Sequence, residues 1–186
     1  MGTQGHAKDI VVLSGKRTPF GTFGGSLKSF SATDLAVFSS TAAIESAGAD
    51  PSEIDHSFFG NALQTSSDAI YLARHVALRS GVPQESPALT VNRLCGSGFE
   101  AIVQGAKEIL LGGAQLTLCG GSESMSQAPH VVRGARWGQL RLGPAGAGFE
   151  DLLWEALRDS NCDVTMAQTA EELAGRYDVT REEADQ

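Results

Sequence analysis

The chain has 186 residues, of which 41% are hydrophobic and 19% charged, a balance typical of globular proteins that excludes disordered and collagen-like polymers. Its formal net charge of −8, without a compensating basic run, argues against general nucleic-acid binding. No apolar run approaches the roughly 20 residues that span a bilayer, and residues 1–9 lack the hydrophobic stretch of a secretory signal.

The first predicted unit is a strand followed by a loop and a helix. The continuous apolar run at residues 10–13 predicts a strand covered on both faces. Glycines at residues 21–25 interrupt regular structure and predict a long loop. A helix is expected from about Ser31, since Leu35 and Phe38 recur at helical spacing.

The second and third units repeat this order. A strand at residues 57–63 precedes a helix at residues 70–78, which Gly81 and Pro83 should end. A third strand is predicted at Ala88–Val91, and its helix should begin close to Cys95. The apolar residues of that helix share one face: Phe99, Ile102, Val103, Ala106, Ile109 and Leu110.

A fourth strand at residues 116–119 completes the alternation and ends in two glycines. Strands that alternate with helices predict an α/β fold with a mostly parallel sheet and helices on its faces. Reactive groups in such sheets gather at the carboxyl ends of the strands, where the chain turns into the helices.

The character of the sequence changes after Met125. The glycine-rich stretch at residues 143–148 is interpreted as a flexible loop, because no strand precedes it and no Lys-Ser/Thr ending marks a phosphate site. Helical pieces are predicted at residues 149–157 and from Thr169, where Thr169 and Glu172 suggest a capping box.

A second capping box, Thr180 with Glu183, predicts a helix for which only residues 184–186 remain. A helix this short cannot sustain itself, because nucleation is costly. We interpret the pattern as the sign of a longer protein; a frayed polar tail is the alternative.

The chain contains three cysteines, Cys95, Cys119 and Cys162. An odd number at wide spacing is a poor disulfide framework, and neither a Cys-x-x-Cys pair nor paired histidines indicate a metal site. A reducing compartment is therefore expected. Cys119 ends an apolar strand and has the features of a small buried hydrophobe, whereas Cys162 lies in a predicted loop.

Cys95 differs because it lies at a junction between strand and helix. A helix N-terminus offers free N–H groups and a positive dipole potential, which favour a thiolate nucleophile. Gly96 and Gly98 leave room beside the sulfur for a substrate carbonyl. We expect the Cys95 N–H, in the first helical turn, to be free to donate to an oxyanion. A buried structural cysteine is the alternative.

Four motifs occur in order along the chain: Arg-Thr-Pro-Phe-Gly at 17–21, Leu-Cys-Gly-Ser-Gly at 94–98, Gly-Gly-Ser-Glu-Ser-Met-Ser at 120–126, and Met166 followed by Thr-Ala-Glu at 169–171. Together they resemble the thiolase family. Residues 66–76 are similar in particular to the mitochondrial type of 3-ketoacyl-CoA thiolase and its bacterial relatives, which implies a place in fatty-acid β-oxidation.

The resemblance implies a fold and a domain organisation. The fold would be the N-terminal thiolase domain, a layered βαβαβαβ arrangement, at residues 1–125, with its last strand missing. Residues 126–186 would begin the loop domain that covers the substrate. The family also implies a homodimer or homotetramer, and Ala88–Val91 is our candidate for the contact between copies.

The resemblance also implies an acyltransferase reaction between 3-ketoacyl-CoA and coenzyme A. Cys95 corresponds to the family nucleophile and Met166 to a methionine of the substrate-covering loop, with a core role for Met166 as the alternative. Coenzyme A would be a substrate, and no further cofactor or metal is expected. The compartment would be the cytoplasm in a bacterium and the mitochondrial matrix in a eukaryote.

The family places its activating histidine and its second, acid–base cysteine in a later half, and their motifs do not occur in these 186 residues. The chain is therefore expected to be inactive by itself. Two alternatives stay open: a condensing enzyme of the ketoacyl-synthase kind, and a non-catalytic thiolase-like interaction protein.

Overall fold

A computed structural model describes residues 9–138 and 148–186. The described residues form two compact units, one that ends at Gln127 and one that begins at Ala128. Within this described part, no helix is both long and apolar enough to cross a membrane.

The first unit is built on a sheet of three parallel strands. They are β1 (His56–Gly60), β2 (Ala88–Val91) and β3 (Thr117–Gly121), in the spatial order β2-β1-β3. Ser57 of the central strand lies opposite Ala88 on one side and Leu118 on the other. The predicted α/β class and parallel sheet are confirmed, although β1 ends at Gly60 rather than at residue 63.

Three helices cover this sheet: α1 (Ala32–Ala47), α2 (Leu72–Arg79) and α3 (Ser97–Leu110). Helices α1 and α2 pack on one face, where the buried core joins the following side chains: Ala32, Ala36, Phe59, Leu72, Ala73 and Val76. Helix α3 lies on the opposite face of the sheet. Two neighbouring residues of β3 indicate this, because successive residues of a strand point to opposite faces. Gly105 of α3 approaches Cys119, whereas the neighbouring Leu118 packs toward the α1–α2 core.

The predicted helices are confirmed, but the buried faces of α1 and α3 consist mainly of small residues. Helix α3 buries Ser97, Ala101 and Gly105, whereas Phe99 of its predicted apolar face is 62% exposed. Helix α1 likewise leaves Phe38 half exposed. Small residues let a helix lie close against a sheet, so the large apolar residues lie on the outer side.

The prediction of a first strand at residues 10–13 is wrong for the described structure, since no strand forms there. Val12 is 82% exposed, and the segment pairs with none of the described strands. A strand needs a neighbouring strand for its backbone N–H and C=O groups, and apolar composition alone does not provide one.

The second unit contains short elements only, apart from one longer helix. Its antiparallel pairs join β4 (His130–Val131) with β5 (Glu150–Asp151), and β6 (Arg158–Asp159) with β7 (Val164–Thr165). Its helices are α4 (Leu152–Ala156), α5 (Met166–Tyr177) and α6 (Arg181–Ala184). Short 3₁₀ turns complete the described elements of both units: Pro51–Glu53, Ala69–Tyr71 and Met125–Gln127 in the first unit, and Ala135–Trp137 in the second.

Two predictions for the second unit can be compared with these elements. The capping box of α5 is formed by Thr165 and Gln168, so the assignment to Thr169 and Glu172 is wrong. Thr169 belongs to the body of α5, and its hydroxyl donates to the carbonyl of Thr165. The capping box of Thr180 and Glu183 is confirmed. Residues 143–147 of the predicted glycine-rich loop lie outside the described residues.

Candidate active site

Cys95 is exposed and lies in the turn that joins the carboxyl end of β2 to α3. Helix α3 begins at Ser97 with Gly96 as its N-cap, so Cys95 precedes the cap by one residue. The prediction that Cys95 belongs to the first helical turn is therefore wrong. The placement beside the helix N-terminus and at the edge where strand ends gather is confirmed.

The turn that carries Cys95 is held by side chains on both sides. Leu94 has a positive φ of 51°, a left-handed conformation that is unfavourable for a residue with a branched side chain. Its N–H donates to Asn92 Oδ1 at 2.9 Å. Ser97 Oγ accepts from the Arg93 N–H at 2.8 Å and donates to the Leu94 carbonyl at 2.6 Å.

Glycines at the ends of the neighbouring strands let α3 approach the sheet. A Cβ at Gly60 would lie 2.5 Å from the backbone carbonyl of Ser97, and one at Gly121 would lie 3.2 Å from the Cα of Gly98. A Cβ at Gly98 would have no neighbour within 4 Å. Gly98 thus leaves open space close to the Cys95 turn, as the sequence predicts. The same prediction is wrong for Gly96, where a Cβ would lie 3.1 Å from the Phe99 ring.

Sequence reasoning missed Glu123 as a residue of this region. It follows β3 closely, and its carboxylate accepts from Asn61 Nδ2 at 2.9 Å and from the N–H groups of Ala62 at 3.0 Å and Leu63 at 2.9 Å. Burial raises the pKa of Glu123, and these three donors lower it in part. An acidic residue shortly after the predicted fourth strand is the signal that could have indicated it.

Cys95 is a free thiol with no base hydrogen-bonded to it in the described part of the chain. Its side chain forms no hydrogen bond within the described structure. Met166 is the first residue of α5 in the second unit and is half exposed. No cluster of three or more His, Cys, Asp or Glu residues suited to a metal ion occurs at residues 9–138 or 148–186.

We expect Cys95 to be the most reactive of the three thiols in the folded chain. Burial raises the pKa of Cys119, which slows its reaction, and Cys162 is exposed but lies in a turn between short strands. Alkylation with limiting iodoacetamide, followed by peptide mass mapping, should modify Cys95 before Cys162 and both before Cys119. Equal modification of all three under native conditions would contradict the assignment.

Comparison with known proteins gives consistent results. A family model described as "Thiolase, N-terminal domain" matches residues 10–186. Human mitochondrial 3-ketoacyl-CoA thiolase is 52% identical over 178 residues, which cover 96% of this chain and 44% of the relative. A beta-ketothiolase of Cupriavidus necator is 44% identical over 179 residues, covering 96% of this chain and 45% of that protein.

The solved structures agree with these similarities. The crystal structure of human mitochondrial 3-ketoacyl-CoA thiolase in complex with CoA superposes with a TM-score of 0.89 at 52% identity, covering 93% of this chain and 43% of that chain. The chain thus spans less than half the length of the relatives it matches.

Proposed function

Because this chain belongs to the thiolase family, we propose that it supplies the nucleophile of a thiolase-type acyltransferase, with Cys95 as the residue that takes the acyl group. The observation that carries this proposal is the position of Cys95. An exposed thiol lies at the carboxyl end of a parallel strand and one residue before a helix N-cap. This position combines access for a substrate with a potential that favours negative charge.

The proposed reaction has two steps. The Cys95 thiolate adds to the 3-keto carbonyl of a 3-ketoacyl-CoA, and the bond between carbons 2 and 3 breaks. The acyl group stays on sulfur as a thioester, while the departing carbanion of acetyl-CoA takes a proton. The thiolate of coenzyme A then adds to the thioester, so that acyl-CoA leaves and the Cys95 thiolate is restored.

Coenzyme A is proposed as the second substrate. The structure of the human relative was solved in complex with CoA. The identity of 52% between that protein and this chain supports the proposal that this chain also binds CoA. Met166 is proposed to line the acyl or pantetheine channel. Its half-exposed side chain at the start of α5 is available for such a contact.

Because the relatives named above are ketothiolases, they do not favour the alternative that this chain belongs to a condensing enzyme of the ketoacyl-synthase kind. They include a mitochondrial protein of a mammal and a protein of a bacterium. A mitochondrial matrix location in a eukaryote, or a cytoplasmic location in a bacterium, is proposed on that basis.

A single-turnover experiment tests the proposed function. Prolonged incubation with acetyl-CoA should leave an acetyl group on Cys95 that hydroxylamine removes, as expected for a thioester. The Cys95→Ala variant should acquire none, whereas Cys162→Ala, which removes the other exposed thiol, should be acetylated like the unaltered chain. Acetylation that persists in Cys95→Ala, or is absent from the unaltered chain after days, would contradict the proposal.

We also propose that two copies pair through β2. This strand lies at the edge of the sheet. The N–H groups of Ser57 and Asn61 donate to the carbonyl groups of Pro87 and Val91, so these two residues face β1. Backbone groups alternate in direction along a strand, and those of Ala88 and Thr90 therefore point away from β1. Backbone groups at an open edge favour pairing with a second strand.

Light scattering on a dilute folded sample should therefore give at least a dimer mass. Leu89 of β2 is 45% exposed, and Leu89→Lys should shift the mass toward the monomer, because lysine on an edge strand opposes pairing. The control Leu111→Lys changes an 85% exposed leucine after α3 and should leave the mass unchanged. A monomeric unaltered chain, or equal effects of both variants, would contradict pairing through β2.

A further inference from the structure

We propose that Asn92 and Glu123 are positioning residues that fix the Cys95 turn through a relay of hydrogen bonds, without contact to the sulfur. This inference rests on the proposed role of Cys95 as the nucleophile. The relay joins the chain segments that follow all three strands of the sheet, since Asn61 follows β1, Asn92 follows β2 and Glu123 lies after β3.

Asn92 is the part of the relay nearest to the nucleophile. Its Oδ1 accepts from the Leu94 N–H at 2.9 Å, and its Nδ2 donates to the Ala62 carbonyl at 3.1 Å. One amide side chain therefore uses its acceptor and its donor on two different segments. The first bond closes an Asx turn and so fixes the backbone that leads into Leu94, the left-handed residue that immediately precedes Cys95.

Ala62 is the link between the two positioning residues. Its carbonyl receives the bond from Asn92, and its N–H donates to Glu123 Oε2 at 3.0 Å. A displacement of this residue would therefore act on both partners.

Glu123 anchors the segment to which Ala62 belongs. Its Oε1 accepts from Asn61 Nδ2 and from the Leu63 N–H, both at 2.9 Å, while Oε2 accepts from Ala62. A carboxylate is suited to this place because both of its oxygens accept hydrogen bonds. The amide of glutamine would have to turn an NH₂ group toward a backbone or side-chain N–H, so it cannot satisfy all three donors.

The consequence of the relay is a defined place for Cys95. Leucine does not adopt a positive φ readily, so the turn needs outside support to keep that conformation. With this support, the sulfur-bearing residue is held beside the N-terminus of α3. Without it, the turn can relax and carry Cys95 away from the position at which a negative charge is favoured.

The test measures the alkylation rate of Cys95 relative to that of Cys162, by mass mapping in the same molecule. Asn92→Ala and Glu123→Gln should each lower this ratio about two- to tenfold, the effect of losing one or two hydrogen bonds. Asn92→Ser should recover part of the ratio, because a serine oxygen can accept from the N–H two residues ahead. The control Glu85→Gln, which changes an exposed glutamate of the first unit in the same way as Glu123→Gln, should leave it unchanged.

The half-buried Cys119 separates positioning from unfolding. A positioning role lowers the Cys95 rate while Cys119 stays protected, and this is the expected result. Increased labelling of Cys119 in Asn92→Ala and Glu123→Gln would mean that the effect is structural, and would overturn the inference.

Two further results have separate meanings. A Cys95 that reacts no faster than Cys162 in the unaltered chain would overturn the nucleophile assignment and this inference with it. A selective Cys95 whose ratio survives both Asn92→Ala and Glu123→Gln would overturn the relay alone.

Discussion

Assayed as the purified 186-residue chain, the protein should cleave acetoacetyl-CoA with coenzyme A at least about 10⁴-fold more slowly than a full-length thiolase. A loss of this size is typical when one member of a nucleophile–base unit is missing. A cysteine nucleophile relies on an adjacent base for its activation. Within the described structure Cys95 has no such partner.

Two described histidines of the first unit contact other residues. His56 stacks on Phe58 with ring centroids 4.1 Å apart, and burial lowers its pKa although Glu108 opposes this effect. His75 lies 3.4 Å from Asp68.

A spectrophotometric assay of thioester cleavage at saturating coenzyme A would measure the rate, with full-length human mitochondrial 3-ketoacyl-CoA thiolase as the reference. The Cys95→Ala variant gives the background. Turnover of the unaltered chain close to the reference rate, lost in Cys95→Ala, would contradict the prediction. It would mean that these 186 residues supply their own base.

The sequence predicts most of the first unit because its signals are local. Strand β2 was predicted with its observed bounds, Ala88–Val91, and Gly81 ends α2 with a positive φ of 89°, as a glycine stop signal requires. Short apolar runs bounded by turn residues determine such elements almost alone. The Cys95 turn was located for the same reason.

Features that depend on a neighbouring segment were not predicted correctly. The apolar run at residues 10–13 has the composition of a strand, but pairing depends on what lies beside it. In α3 the periodicity of large residues indicated the exposed face, whereas Ala101 and Gly105 make the contact with the sheet. Glu123 acts through donors about 60 residues earlier, at Asn61–Leu63, and single-segment patterns do not contain such a relation.

The close approach of α3 to the sheet gives the second large effect. Gly60→Ala should destabilise the chain by about 3 kcal/mol, the upper part of the range for overpacked sites. The added Cβ would lie 2.5 Å from both the carbonyl carbon and the oxygen of Ser97. These are backbone atoms, so no side-chain rotation relieves the contact. Gly60 also belongs to the central strand and pairs with Val91 and Gly121, so β1 cannot retreat.

Gly98→Ala is the matched control for Gly60→Ala, because it adds the same methyl group to the start of α3. A Cβ there has no neighbour within 4 Å, and alanine in a helix is favoured over glycine by about 0.5–1 kcal/mol. Urea unfolding should therefore shift to lower concentration in Gly60→Ala and to slightly higher concentration in Gly98→Ala. Because Ser97 supports the Leu94 carbonyl, Gly60→Ala should also slow the alkylation of Cys95. Equal unfolding midpoints for Gly60→Ala and the unaltered chain would mean that α3 does not rest on β1 at this distance, and that the Cys95 turn is positioned differently.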